Sequence, residues 1–171
     1  MAIYFVTETY IKDYTNVGKN VDSNIITPLV KNAADSYVRS IIGNSFYKYL
    51  LAKYNNQTLD ADEIELVEDY IKPSVSWRAA ADVVIGASYQ LTNKGNVIQS
   101  GDFSQSPEYK AIMFNFHNTA DKASLYDDML AKFLVLDKTK YPQFWANDNK
   151  DATARRLCEG RNNFNTNIFL I

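Results

Sequence analysis

The amino-acid sequence predicts an all-α fold: an elongated helical bundle with a long C-terminal spine helix, one small β-hairpin insert and an extended C-terminal tail. Apolar residues recur at intervals of three and four along most of the chain. A polar, turn-rich insert at 91–107 is the clear break in that pattern. The chain has 171 residues and 46% apolar content, enough for one core. We therefore expect one helical domain at 1–145 and a C-terminal extension at 146–171.

The first two helices are predicted from their capping residues. Thr7 can cap a short helix, and Asp22 can cap a second one whose apolar residues continue to Gly43. Pro28 lies inside the second pattern. We favour a helix that begins near Thr27, with Pro28 at its first position, over one with a loose first turn.

Three further helices are predicted in the middle of the chain. The first covers 45–54, and the second begins near Asp60. The second should stop or kink at Pro73, because proline removes a backbone donor and clashes with the preceding turn. The third, 74–89, carries runs of alanine and valine with almost no charge, so we expect it to be the most buried helix.

A hairpin is predicted within the polar insert, at about 89–101, because a turn-forming sequence joins two short strand-like runs. The turn residues are Asn93, Lys94, Gly95 and Asn96.

A long helix is predicted at 107–138, with Ser106 as its cap and Pro107 in its first turn. At 1.5 Å per residue it would be about 46 Å long. A compact globule of this chain length is only about 40 Å across. The subunit is therefore expected to be elongated, with this helix as its spine.

The C-terminal extension ends in an apolar segment, 164–171, which is unstable in water as an isolated tail. We expect it to dock on its own domain or on a neighbour. Its large side chains are Phe164, Ile168, Phe169, Leu170 and Ile171.

Charge and composition exclude several classes of protein. The net charge of −2 and the pI of about 5.4 give no overall electrostatic footprint for tight binding to nucleic acid or membranes. The N-terminus lacks the basic leader of a signal peptide, and no apolar run approaches the roughly 20 residues of a membrane helix. The single cysteine, Cys158, excludes an intramolecular disulfide and suits a reducing compartment.

Residues for catalysis or metal binding are scarce. His117 is the single histidine, which removes histidine triads and multi-histidine metal sites, and we interpret it as structural. Cys158 has no CxxC partner. We therefore predict no enzymatic activity, no metal and no cofactor. One acidic set is interpreted as a solvated helix start rather than a metal site; its members are Asp60, Asp62, Glu63, Glu65, Glu68 and Asp69.

A basic concentration lies in the C-terminal extension, at Arg155, Arg156 and Arg161, with Lys138 and Lys140 upstream. These side chains could meet DNA phosphates in a channel or pair with acidic side chains of a neighbouring subunit. The net charge favours the second interpretation.

Several short motifs follow one another in a fixed order over about residues 3–145. They are Phe5-Val6-Thr7-Glu8-x-Tyr10-Ile11-Lys12, Asn20-Val21-Asp22, Ile25-x-x-Pro28, Ala33-x-Asp35-x-Tyr37-Val38, Ile41-Ile42-Gly43, Leu91-Thr92-Asn93-Lys94-Gly95, Ser106-Pro107 and Tyr141-Pro142. Their order resembles that in helical head-to-tail connector proteins of tailed bacteriophages. It looks closest to the connector ring proteins of crAss-like and related phages that infect Bacteroidales.

The resemblance implies a structural virion protein without enzymatic activity. Copies of such a protein, typically twelve, form a ring beneath the portal and extend the DNA channel toward the tail. The implied partners are other copies of the chain, the portal protein or an adjoining tail ring, and packaged DNA that passes through without sequence specificity. The implied location is the head-tail junction of the virion, after assembly in the host cytoplasm. We expect the hairpin turn and the apolar end at 164–171 to make the contacts between subunits.

Two alternatives stay open from the sequence. The first is a small helical regulatory protein that binds a host factor or nucleic acid through the region of Arg155 and Arg156, with salt-sensitive affinity. The second is an enzyme whose site is built from carboxylates and tyrosines alone, and which a divalent metal would stabilise against heat.

Overall fold

A computed structural model describes residues 4–92, 95–98 and 109–156, with side chains described outside 88–98. The described residues are predominantly helical. The α-helices are α1 (Glu8–Tyr14), α2 (Ser23–Asn32), α3 (Arg39–Ile42), α4 (Asn44–Asn55), α5 (Ala61–Glu65), α6 (Lys72–Ser88) and α7 (Tyr109–Leu136). A first π-helical segment, Ala33–Val38, joins α2 to α3, and a second, Leu66–Ile71, joins α5 to α6. A 3₁₀ turn covers Asn147–Asn149.

The predicted helix starts at Thr7 and Asp60 are confirmed. The Thr7 hydroxyl accepts a hydrogen bond from the backbone N–H of Tyr10 at 3.2 Å. Asp60 and Glu63 form a reciprocal capping box, in which each carboxylate accepts the backbone N–H of the other residue at 2.9 Å. These bonds satisfy N–H groups that have no partner inside the helix.

The preferred start of the second helix near Thr27 is wrong. Helix α2 begins at Ser23, and the Asp22 carboxylate accepts the N–H of Asn24 at 2.9 Å. Pro28 therefore lies inside the helix. The helix starts five residues before Pro28 because the Asp22 cap stabilises its first turn.

Of the predicted stop or kink at Pro73, the stop is wrong, because the chain stays helical from α5 to the end of α6, while the kink stays a prediction. The second π-helical segment ends two residues before Pro73, and the N–H of Lys72 bonds to the carbonyl of Val67, five residues earlier. A π turn is wider than an α turn, which accommodates the proline ring and its missing N–H.

Helix α6 lies at the centre of the fold, in contact with α1, α2, α7 and both π-helical segments. Small side chains at its buried positions let these neighbours approach closely. The buried apolar residues of α6 are Val75, Ala79, Ala80, Ala81 and Val83.

Two short strands follow α6 at the position of the predicted hairpin. Strands β1 (Tyr89–Thr92) and β2 (Gly95–Ile98) are antiparallel, with Thr92 opposite Gly95 and Tyr89 opposite Ile98. The predicted turn residues Asn93 and Lys94 lie outside the described residues, and so do residues 99–101 of the predicted insert. The hairpin as a projecting unit stays a prediction.

The long helix predicted at 107–138 is α7, described as Tyr109–Leu136. Its 28 residues give a length of about 42 Å. The predicted cap and first-turn proline at 106–107 lie outside the described residues. Among 4–92, 95–98 and 109–156, no helix combines the length and the hydropathy needed to cross a bilayer.

The segment after α7 packs against the start of α4 through a buried asparagine. The Asn149 amide nitrogen donates to the carbonyls of Ile42 at 2.8 Å and Phe144 at 3.0 Å, and its oxygen accepts the N–H of Phe46 at 3.2 Å. Gly43 has φ +86°, and a Cβ there would lie 2.1 Å from the Asn149 amide oxygen. This contact therefore requires glycine at position 43.

The core continues across the predicted domain boundary at 145/146. Phe144 is buried on one side of it, and Ala152 and Ala154 are buried on the other side in the same cluster of apolar side chains. Residues up to 154 thus pack on the helical domain.

Candidate assembly surfaces

Helix α7 packs one face against α6. The residues of that face are Ile112, Thr119, Ala123, Leu130 and Leu134, all of them buried. Their spacing of four and seven residues places them along one line of an α-helix. This inner face completes the core of the subunit.

A partly buried ion pair fixes how α7 sits on α6. The Arg78 guanidinium donates to one carboxylate oxygen of Asp127 through Nε at 2.8 Å and Nη2 at 2.6 Å, and the Ser74 hydroxyl donates to the other oxygen at 2.5 Å. Arg78 also lies over the ring of Tyr37, 4.5 Å from its centroid. Because Ser74 is fully buried, this contact leaves little freedom for α7 to rotate.

The opposite side of α7 carries a second line of large apolar side chains, which we call the outer stripe. It consists of Phe114, Leu125, Met129 and Leu136, whose exposed fractions are 66%, 58%, 41% and 79%. Eleven residues of α-helix make about three turns, so side chains eleven positions apart lie nearly above one another. Phe114, Leu125 and Leu136 follow this spacing.

Charged side chains border the outer stripe. Asp121, Lys122, Asp128 and Lys132 are exposed on neighbouring positions of α7. The Lys122 ammonium lies 4.5 Å from the ring centroid of Trp77 on α6. Asn118 and Lys132 are exposed on the line of the stripe itself, between its apolar side chains. Large exposed apolar side chains interspersed with polar ones are still found on surfaces that another protein covers.

A cleft of about 190 Å³ separates α7 from the end of the described chain. Asp128 and Ala131 line its α7 side, and Thr153 and Ala154 line the opposite side. The described chain therefore comes close to its end beside the C-terminal third of α7.

The predicted basic concentration is divided by the fold. The Arg155 guanidinium donates to the backbone carbonyls of Trp145 at 3.1 Å and Ala146 at 2.8 Å, and it lies 5.5 Å from the Trp145 ring centroid. Arg156 is exposed and shares a polar cleft of about 530 Å³ with Arg39. Arg161 lies outside the described residues. Arg155 thus stabilises the turn before it, whereas Arg156 and the half-buried Arg39 line a cleft that also contains Asp35 and Asp151.

The acidic set at the start of α5 is only partly the predicted solvated face. Glu63 is buried and pairs with the Lys53 ammonium, and this hydrogen bond raises the pKa of Lys53. The Lys140 ammonium lies 2.5 Å from Glu65 and 3.4 Å from Asp62, and its bond to Glu65 raises the Lys140 pKa. These pairs tie α5 to α4 and to the segment after α7.

The remaining candidate residues fall on different parts of the chain. His117 is exposed, with its ring 5.5 Å from that of Phe116. Cys158 lies outside the described residues. Within the described part of the chain, no group of three or more histidine, cysteine or acidic side chains is placed to hold a metal ion.

Of the predicted inter-subunit contacts, Gly95 and Asn96 belong to β2, and the others lie outside the described residues. Those others are Asn93, Lys94, Phe164, Ile168, Phe169, Leu170 and Ile171. The sequence predicted that the apolar residues of the long helix extend beyond a single stripe and could serve both the core and a contact between subunits, but it did not identify which residues form the outer stripe. The eleven-residue spacing of Phe114, Leu125 and Leu136 was its available signal.

Residues 38–154 match the model of DUF6712, a family of unknown function, and the chain belongs to that family. The match begins at Val38, the last residue of the first π-helical segment. It includes α3 to α7 and the segment after α7 that contains Asn149. No curated protein matches the chain. No solved structure matches it either.

Proposed function

We propose that this member of the DUF6712 family is a structural virion protein, one subunit of a connector ring between the portal and the tail of a bacteriophage. In this proposal about twelve copies of an elongated helical bundle form the ring and extend the DNA channel. The protein has no enzymatic role, and it works by contact with other copies, with the portal protein or with an adjoining tail ring.

The observation that carries the proposal is the outer stripe of α7. A side chain such as Leu125 or Leu136 gains free energy when it is removed from water, at about 25 cal/mol per Å² of apolar surface. The inner face of α7 already completes the core, so the outer stripe is apolar surface beyond what the described fold needs. Such surface supports a role in assembly with another protein.

The kind of assembly is proposed from the order of the sequence motifs, which resembles that of phage connector proteins over about residues 3–145. A ring needs heterologous interfaces, in which one surface of a subunit meets a different surface of the next. The hairpin residues 93–96 and the apolar end at 164–171 are the proposed projecting contacts, and the outer stripe supplies a surface that can receive one of them.

Native mass spectrometry of the purified protein tests the proposal, alone and mixed with the portal protein of its own genome. We expect a species of about twelve copies in at least one of the two samples. A monomer in both samples would contradict a ring that assembles on the portal.

The alternative is a small regulatory protein that binds a host factor or nucleic acid. The observation that favours it is the pair of Arg39 and Arg156 in the polar cleft, where Asp35 and Asp151 offset their charge. This alternative predicts DNA binding that weakens steeply with salt and is lost in the double variant Arg39→Gln/Arg156→Gln. The connector proposal predicts that assembly persists in that variant.

A further inference from the structure

We infer that the outer stripe of α7 receives the apolar end of the C-terminal extension, residues 164–171, from a neighbouring copy of the chain. This inference rests on the proposed ring and specifies one of its contacts. It pairs an apolar surface that the described fold leaves exposed with an apolar segment that follows the described domain.

The stripe and the segment match in chemistry. Residues 164–171 contain five large apolar side chains and no charged one. The stripe presents two leucines, a methionine and a phenylalanine toward solvent. Covering the stripe with this segment removes apolar surface of both partners from water and buries no charged side chain of the segment.

They also match in length. From Phe114 to Leu136 the stripe extends over 22 helical steps, which is about 33 Å at 1.5 Å per residue. An extended segment of eight residues spans about 26 Å. The segment can therefore lie along most of the stripe.

The position at which the extension leaves the domain brings it within reach of another copy. Thr153 and Ala154 lie across the cleft from Asp128 and Ala131, in the C-terminal third of α7. Residues 157–163 then form a connection of up to about 25 Å. Packed helices lie only about 8–10 Å apart, so this connection can cross from one long helix to the next.

A neighbouring copy is the occupant because a ring needs two different surfaces on each subunit that meet each other. The extension and the stripe are such a pair. Docking on the chain's own α7 would satisfy both surfaces within one copy and leave neither for the ring.

Disulfide crosslinking tests the inference directly. In a Cys158→Ser background, Ile168→Cys is combined in turn with Phe114→Cys, Leu125→Cys and Leu136→Cys, and the protein is oxidised mildly and run on a denaturing, non-reducing gel. We expect a ladder of multimers for at least one pair. The matched control combines Ile168→Cys with Ile64→Cys, because Ile64 is an exposed apolar residue on α5 outside the stripe; it should give no ladder. A crosslinked monomer, or no crosslink, would overturn the inference.

A mixing experiment gives a second, independent readout. One partner is truncated after residue 163, and the other carries Leu125→Gln and Leu136→Gln, which keep good helix formers at exposed positions. Each partner alone should fail to form rings while keeping its helical circular dichroism. Mixed together they should form a one-to-one dimer by native mass spectrometry, because an intact end meets an intact stripe. Ile64→Gln is the control, and it should assemble like the unmodified chain.

The two proposals fail in different ways. Intact rings of either altered protein would overturn the docking inference and leave the ring proposal in place. A monomeric unmodified chain, with and without the portal protein, would overturn a ring that assembles alone or on the portal, and the docking inference with it.

Discussion

The inner and outer faces of α7 are both apolar, yet only the inner face is buried. Leu130 and Leu134 on the inner face are fully buried, whereas Leu125 and Leu136 on the outer face are 58% and 79% exposed. Opposite the inner face, helix α6 supplies small side chains and Arg78, which pairs with Asp127 of α7. The apolar pattern of a helix therefore indicates how many of its faces carry large apolar side chains. Which of these faces is buried within the subunit depends on the neighbouring helices.

The contrast can be tested with pairs of residues of the same type, in which one side chain is buried and the other is exposed. The largest expected effect is at the leucines of α7. Leu130→Ala should lower the free energy of unfolding by roughly 3–5 kcal/mol, because it leaves a cavity in a core that relaxes only partly. Leu125→Ala should change it by less than about 0.5 kcal/mol in the monomer.

Urea unfolding followed by circular dichroism measures both leucine variants. Similar losses at Leu130 and Leu125 would mean that the outer face is also packed within the subunit. That result would remove the contrast between the two faces.

The next effect is at the glycines. Gly43→Ala should cost roughly 3 kcal/mol, because its positive φ is strained for any residue with a Cβ and because the Cβ displaces the Asn149 amide. Gly18 has no atom within 4 Å of a built Cβ, so Gly18→Ala should be close to neutral.

Combining Gly43→Ala with Asn149→Ala sharpens this test. The added cost of Gly43→Ala should be smaller in the Asn149→Ala background, since the clash is gone and only the backbone strain persists. Equal costs in both backgrounds, by urea unfolding, would argue against the contact.

A smaller effect is expected at the neighbouring aspartates. Asp127→Ala should cost about 2 kcal/mol, because it removes the carboxylate to which the Arg78 guanidinium and the buried Ser74 hydroxyl both donate. Arg78 then keeps its bond to Ser124. Asp128→Ala, on the exposed side, should stay within about 0.5 kcal/mol of the unmodified chain. Thermal melts at neutral pH measure the pair, and a larger loss at Asp128 would contradict the proposed clamp.

The smallest effect concerns pH. Burial raises the pKa of the Asp82 carboxyl above its ordinary value, against the opposing effects of the Asn32 amide, 3.4 Å away, and the Arg78 charge. A carboxyl with a raised pKa binds its proton more tightly in the folded state. Its contribution to stability is therefore present at low pH and lost as the pH rises through the folded-state pKa.

Asp82→Asn stays uncharged at every pH, so it should raise the melting temperature at pH 7. The gain should shrink as the pH falls below about 4, where the unfolded carboxyl is also protonated. Melting curves from pH 3 to pH 8 check this, with the exposed Asp128→Asn as the control. A lower melting temperature for Asp82→Asn at pH 7 would show that the ionised carboxylate stabilises the fold.

Helix starts were predictable because their signals are local. Thr7 and Asp60 accept hydrogen bonds from residues three positions away, so the capping pattern is visible in the sequence. The two interior prolines misled the prediction for the opposite reason. Whether Pro28 or Pro73 ends a helix depends on a neighbouring cap or π-helical turn that offsets the lost N–H, and propensity alone does not reveal this.

The contacts that position the candidate surfaces were not predictable because they join distant parts of the chain. Asn149 gives no local sign that it will bond to Phe46, 103 residues earlier. Likewise, nothing near Asp127 indicates that Arg78 will select it over Asp128. The apolar residues of the long helix were visible from the sequence, but the division into a packed face and an exposed face depends on α6.

The Asn149 contact also has a consequence for how the chain folds. It closes a loop of more than 100 residues, and the entropy of closing a loop must be offset before the contact contributes stability. The contacts within α2–α6 are closer in sequence and carry a smaller entropic cost. The segment at 141–156 is therefore expected to join the fold last and to separate from it first. During synthesis on the ribosome, α2–α6 would therefore fold before the segment at 141–156 packs against the start of α4.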